Sequence, residues 1–272
     1  MDENMKRSIE HPAMTQAAAT SFILDLDGTL ISGRRVLPGA REVVQQLEDR
    51  FVVVSNNSTH APEELAVELA ALGLRIPQDR ILLAGIMALQ VVAQEYGPAP
   101  VLIAGSAGLR REAMRRGFNL VEQDAEVVLL ARDPHFNYQK LERLANEVRR
   151  GAQLIVTNGD LTHPGPDGQV IPETGSLLQA VLACAQTGSV RIIGKPEAAL
   201  LLEALRRLEA APEDCVLVGD NPKTDAAGAE RLGMPYLLLG RSPESHLADL
   251  SELAQVLSRR GSSQFPWARR IA

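Results

Sequence analysis

The chain of 272 residues is long enough for one large domain or two moderate ones, and 45% hydrophobic with 23% charged residues is an ordinary globular composition. A formal net charge of −6 argues against a nucleic-acid binder, whose domains usually carry a basic excess. No stretch approaches about 18 unbroken apolar residues, so no membrane span is expected, and residues 1–19 lack the apolar run of a signal peptide, which points to the cytoplasm.

Residues 1–19 form a polar lead-in. A buried strand follows in "SFILDLD" (21–27), then a helix in "PGAREVVQQLEDR" (38–50) with Pro38 as its first residue. "FVVVSNN" (51–57) is the next expected strand, and "APEELAVELAALGL" (61–74) a helix closing near Gly73. Residues 83–182 carry strands of their own in "PVLIAG", "EVVLLAR" and "QLIVTNG", and their most loop-like part is "HPGPDGQVIPETG" (163–175). The strands "VRIIGK", "CVLVGD" and "PYLLLG" complete the first unit, and residues 261–272 are an aperiodic tail whose Phe265 and Trp267 could dock on the core. Apolar strands alternating with helices argue for an α/β fold. The expected architecture is a doubly wound, Rossmann-like parallel-sheet core (20–82 and 183–260) with an inserted α/β cap (83–182). The arginine pairs at 110–111, 115–116, 149–150 and 206–207 sit among Glu and Ala in helical patterns and are expected on solvated faces. Cys184 and Cys215 lie in apolar segments without metal-ligand spacing and are expected to be buried reduced thiols.

Four strands end in polar residues: Asp25, Ser55, Lys195 and Asp220. In an open parallel sheet ligands bind beyond the carboxyl ends of the strands, so these endings are expected to converge. Asp25 and Asp27 repel unless a cation meets them. With Asp220 they make an oxygen-rich set suited to Mg²⁺, which completes its octahedron with water and substrate phosphate. Ser55, Asn56 and Asn57 offer a hydroxyl, amides and backbone N–H groups at a strand-to-helix junction, which favours an anion. Lys195, followed by Pro196, is a point charge suited to phosphate. Together they define a site for a dianionic phosphate with a carboxylate as nucleophile. Taken singly, "DLDGT" is also a capped turn, "SNNST" an N-cap, "GKPE" a loop-to-helix start and "GDNPKTD" a polar turn with Asp225 as a helix N-terminal charge. The functional reading rests on all four occurring in order, each at a strand end.

With "DLDGT", "SNNS", "GKPE" and "GDNPKTD" in place, the sequence resembles the haloacid dehalogenase superfamily of phosphohydrolases over about residues 20–242. The insertion resembles the branch with a large α/β cap, that of p-nitrophenyl, nucleotide, phosphoglycolate and pyridoxal phosphatases. "DPHFNYQKL" (133–141), "GAQLIVTNGD" (151–160) and "PETGSLLQAV" (172–181) are similar to that branch. The resemblance implies Asp25 as nucleophile, forming an aspartyl-phosphate, and Asp27 as general acid and then base. It implies Mg²⁺ on the Asp25 carboxylate, the Asp27 backbone carbonyl and Asp220. Ser55, Asn56 and Asn57 would hold the phosphoryl group, Lys195 would neutralise it, and Asp225 would order Lys195 or a water. His163 falls where some relatives present a cap histidine to substrate, and a solvated loop histidine is the alternative. Gly159 replaces larger or charged residues of relatives, which removes a contact or widens the entrance; His60, where an arginine is common, bears on loop anchoring. The implied protein is a cytoplasmic Mg²⁺-dependent hydrolase of a small phosphate monoester, assembled as a homo-oligomer, a homodimer, through the cap. A phosphotransferase or mutase would share the aspartyl-phosphate. A non-catalytic phospho-ligand sensor would share the fold but has no use for Asp27.

Overall fold

The computed structural model describes residues 21–164, 169–186 and 189–260. The expected lead-in (1–19) and the tail with Phe265 and Trp267 lie outside them. The chain runs through β1 (Ser21–Asp25), β2 (Ile31–Ser32), β3 (Arg35–Val36), α1 (Ala40–Leu47), β4 (Phe51–Ser55), α2 (Pro62–Ala71), β5 (Ile81–Leu83) and α3 (Ala84–Tyr96). Then come β6 (Val101–Ala104), α4 (Ala107–Arg115), β7 (Val127–Leu130), α5 (Tyr138–Arg149) and β8 (Gln153–Val156). These are followed by β9 (Thr162–Pro164), β10 (Val170–Pro172), α6 (Thr174–Ala185) and β11 (Arg191–Ile192). The last stretch holds α7 (Ala198–Leu208), β12 (Cys215–Gly219), a π-helical turn (Pro222–Ala226), α8 (Ala227–Arg231), β13 (Tyr236–Leu238) and α9 (Leu250–Arg260).

The first sheet has the order β13-β12-β1-β4-β5, with neighbouring strands parallel. The chain leaves β1 toward β4 on one side and returns to β12 on the other, so a crevice opens at β1 and β12, the switch point where such sheets bind ligands. Alternation along β1 sends Phe22 and Leu24 into a core with Val43, Leu65 and Leu253 of α1, α2 and α9. Ile23 faces the other way, onto Leu200, Leu201 and Ala204 of α7. Burial on both faces is why these strands are apolar at consecutive positions. The second sheet, β11-β8-β7-β6, is also parallel. Helices cover both of its faces too: α3 and α4 pack on Val127 and Leu129, α5 and α6 on Val128 and Leu130.

Several local expectations change. "VRIIGK" belongs to the second sheet, because Arg191 and Ile192 pair with Ile155 and Val156 of β8. A two-residue strand carries no pattern that names its partner. The three-residue β5 is an unexpected strand of the first sheet, and its Leu83 falls inside the span assigned to the insertion. The stretch 163–175 takes part in an antiparallel pair, with Ile171 opposite His163, which its Pro/Gly content hides. Gly39, at φ 78°, is the N-cap of α1, so Pro38 lies before the helix. Cys215 is buried, but Cys184 is exposed: Leu178, Val181 and Ala185 fill the inward stripe of α6 and Cys184 falls outside it. The arginine pairs behave as expected on helix surfaces, Arg115 and Arg116 on Glu112, Arg206 and Arg207 on Glu203. Among the described residues no helix is long and apolar enough to cross a membrane.

Leu201 is fully buried between α7 and the first sheet. Leu201→Ala should lower stability by about 2–5 kcal/mol, read from the urea midpoint; a loss below about 1 kcal/mol would mean that α7 does not seal this face.

Candidate active site

β1 ends at Asp25, and Asp220 follows the last residue of β12, the neighbouring strand. The π-helical turn then brings Asp225 back beneath the same edge. Lys195 arrives from the second sheet. Beyond β11, the Ile193 N–H donates to Val156 O (2.9 Å) and the Gly194 N–H to Thr157 O (2.8 Å), and the next residue crosses to the first sheet. Its Nζ donates to Asp25 Oδ1 and to Asp225 Oδ1, both at 2.6 Å. Asp25, Lys195 and Asp225 are only 7%, 3% and 1% exposed. Burial pushes the Asp25 carboxyl up to about 8 against the pull of Lys195. Burial alone would lower the Lys195 ammonium, but Asp225 and Asp25 outweigh it and the group is raised.

One ammonium between two carboxylates leaves negative charge over. Carboxylate oxygens of Asp25, Asp220 and Asp225 lie within 4.8 Å of one another. Asp25 Oδ2 is buried with no hydrogen-bond partner among the described residues, and Asp220 is pushed up to about 6 by burial and by Asp225. A bound cation would relieve all three conditions, and an all-oxygen donor set suits a hard divalent ion. Asp225 is the least available donor, since Oδ1 takes Lys195 and Oδ2 accepts the Asn221 N–H at 3.1 Å. Gly28, at φ +91°, keeps the approach open: a Cβ there would stand 2.1 Å from Asp220 Oδ2. The Asp27 carboxylate lies outside this cluster and faces the cleft, with the Ser55 hydroxyl donating to its Oδ2 at 3.4 Å. Burial raises the Asp27 carboxyl, and Lys195 and Ser55 draw it back.

All of the sequence-expected residues meet in one cleft of about 490 Å³, His163 included. Their tasks differ. Ser55 Oγ also accepts the Asn57 N–H at 3.1 Å. The Asn56 amide is fully committed: Oδ1 accepts the Lys195 N–H at 2.8 Å, and Nδ2 donates to Lys195 O at 3.0 Å and Asp160 Oδ2 at 2.9 Å. Asn57 Oδ1 accepts from the N–H groups of Thr59 (2.9 Å) and His60 (3.1 Å). His60 in turn lies 3.6 Å from Glu68, anchoring the loop to α2. The two asparagine side chains therefore hold Lys195 and the loop. Gly159 is exposed, and a Cβ there would make only an ordinary contact with Ile192 at 3.5 Å.

The far wall comes from the carboxyl edge of the second sheet: Arg132 past β7, Asn158 and Asp160 past β8, then His163 on β9 and Glu173 at the start of α6. Glu173 Oε1 lies 2.7 Å from His163 Nδ1 and 3.3 Å from Arg132 Nε. Burial raises the Glu173 carboxyl, while Arg132 and His163 lower it. Arg132, Asp160 and Glu173 are absent from the sequence-based expectations. The rule that located Asp25 and Asp220, polar residues just past parallel strands, also points to Arg132 and Asp160.

An acid cluster fit for a divalent ion, a buried lysine beside it and a second α/β layer above them mark an enzyme of phosphate esters. The family model described as haloacid dehalogenase-like hydrolase matches residues 22–119, and one described as HAD-hydrolase-like matches residues 192–255. The chain is 30% identical over 233 residues to the 5'-nucleotidase YutF of Bacillus subtilis, covering 84% of this chain and 90% of that protein. It is 31% identical over 223 residues to the dihydroxyacetone phosphatase of Corynebacterium glutamicum, covering 80% of each. Its fold matches the p-nitrophenyl phosphatase from Archaeoglobus fulgidus with a TM-score of 0.80 at 26% identity, over 88% of this chain and 99% of that one. The chain belongs to the haloacid dehalogenase-like hydrolases. Within them it is a phosphatase of the α/β-capped branch.

Asp220→Asn should weaken binding of a divalent ion on the order of tenfold or more, measured by titration calorimetry with Mn²⁺ on protein whose circular dichroism is unchanged. Equal affinity in the variant would remove Asp220 from the cation site.

Proposed function

We propose that the chain hydrolyses small phosphate monoesters, with Asp25 as nucleophile and Mg²⁺ as its divalent ion. Asp25 itself carries the reading: Lys195 pins one carboxylate oxygen at 2.6 Å, and the other is buried without a hydrogen-bond partner among the described residues, on a side chain that lines the cleft. A carboxylate serving only the fold would have both oxygens satisfied. Mg²⁺ on Asp25, Asp220 and the Asp27 backbone carbonyl would offset the charge of the phosphate and of the acids.

Asp25 attacks phosphorus while the ester oxygen departs, giving an aspartyl-phosphate. Asp27 hands its proton to the departing oxygen and later takes one from the water that cleaves the intermediate. Ser55 and the backbone of residues 56–57 hold phosphoryl oxygens, and Lys195 neutralises charge on them. Asn56 and Asp225 position Lys195 from its backbone and from its ammonium. Relatives named a 5'-nucleotidase and a dihydroxyacetone phosphatase support a small phosphorylated substrate.

Asp25→Asn should abolish phosphate release from p-nitrophenyl phosphate without loss of native circular dichroism; wild-type turnover would remove Asp25 as nucleophile. Asp27→Asn should cost about 10²-fold or more on alkyl phosphates and distinctly less on p-nitrophenyl phosphate, whose phenolate leaves without a proton. Equal losses on both would contradict the acid role.

A further inference from the structure

The cap wall holds an ion cluster that the chemistry at phosphorus does not use. Glu173, with a side chain 15% exposed, sets one carboxylate oxygen within ion-pair distance of both Arg132 and His163. The three residues come from three separate parts of the cap, so their meeting at the cleft is tertiary. Among the described residues the terminal nitrogens of Arg132 and Nε2 of His163 have no further partner, and both side chains line the cleft.

The cluster stands on the leaving-group side of the proposed reaction, since His163 lines the same cleft as Asp27, the residue placed to protonate the departing oxygen. The rest of the lining is hydroxyl, amide, charged or glycine, and among the described residues no Leu, Ile, Val, Met, Phe, Tyr or Trp contributes. A nucleobase is held by stacking on aromatic rings or guanidinium planes; among the described lining residues only His163 and Arg132 offer such faces, and both are paired to Glu173. An unpaired guanidinium would draw a second anion, but an incoming carboxylate would meet Glu173 beside Arg132. Guanidinium N–H donors next to carboxylate and imidazole acceptors match hydroxyl and carbonyl groups.

We propose that Arg132, Glu173 and His163 form the specificity-determining wall, selecting phosphate esters with a small, uncharged, hydroxylated leaving group, a polyol or sugar phosphate, over nucleoside monophosphates and phosphocarboxylates. The inference rests on the hydrolytic reading of Asp25 and names the substrate class of that same site.

The test is kcat/KM for glycerol phosphate, phosphoglycolate, adenosine monophosphate and p-nitrophenyl phosphate in wild type, Arg132→Gln, His163→Asn and Glu173→Gln, substitutions that keep side-chain size. Wild type should favour glycerol phosphate over adenosine monophosphate and phosphoglycolate by about tenfold or more. Arg132→Gln and His163→Asn should each lower the ratio of glycerol phosphate to p-nitrophenyl phosphate, by about tenfold for Arg132→Gln and chiefly through KM. Glu173→Gln, which leaves the guanidinium charge uncompensated, should shift preference toward phosphoglycolate by a similar factor. A wild-type preference for adenosine monophosphate or phosphoglycolate overturns the proposal, as do variants that change all four esters in parallel. Wild type that releases no phosphate from p-nitrophenyl phosphate instead sinks the hydrolytic reading, and this proposal with it.

Discussion

Lys195 shares one ammonium between two buried carboxylates, and the organisation of the site depends on it. Buried ion pairs contribute little net stability, yet breaking one by removing a partner costs about 3–5 kcal/mol. Here the count of charges is itself informative: Asp25 and Asp225 outnumber Lys195, and Asp220 adds a third acid within reach. Such a cluster tolerates a cation and has no room for another anion without one. A dianionic phosphate would therefore enter only with the positive charge that the acids retain.

The same lysine joins the two sheets. It leaves the second sheet through the bonds of Ile193 and Gly194 to β8 and its edge, and enters the first under the Asn56 clamp. Asn56 also reaches Asp160 of the cap, and the Asn158 amide donates to Asn56 O at 2.9 Å. Charge balance at Asp25 and the placement of one sheet over the other are thus set by neighbouring atoms.

The acids were readable because a strand buried on both faces must be apolar, and β1 and β12 lead straight into Asp25 and Asp220. The polar residue that interrupts such a run marks the sheet edge. Lys195 lies in the expected cleft but reaches it from the second sheet, a route hidden in the sequence because β11 is too short to show its partner. The Asn56 clamp joins residues 139 positions apart, which no local pattern can encode. Arg132 and Glu173 look like ordinary surface charges until the second sheet is known to turn its carboxyl edge toward the first. Cys184 shows the converse error, an apolar neighbourhood in sequence that the helical period places outside the inward stripe.

Two parallel sheets turn their carboxyl edges to one cleft, and the proposed scheme divides the work between them along the scissile bond. In the proposed scheme the first sheet addresses phosphorus with Asp25, Ser55 and Asp220, and the second addresses the departing group with Arg132, His163 and Glu173. On that scheme a substitution in the cap wall would change which ester is favoured without touching the nucleophile. The division is incomplete at one point, because Asp160 and the Lys195 backbone hang on the same amide. Displacing the cap enough to break the Asp160 bond would leave Asn56 with fewer restraints on Lys195, and so on the ammonium that holds Asp25. The cap wall can vary in what it recognises, whereas its seat on Asn56 is tied to the charge at the nucleophile.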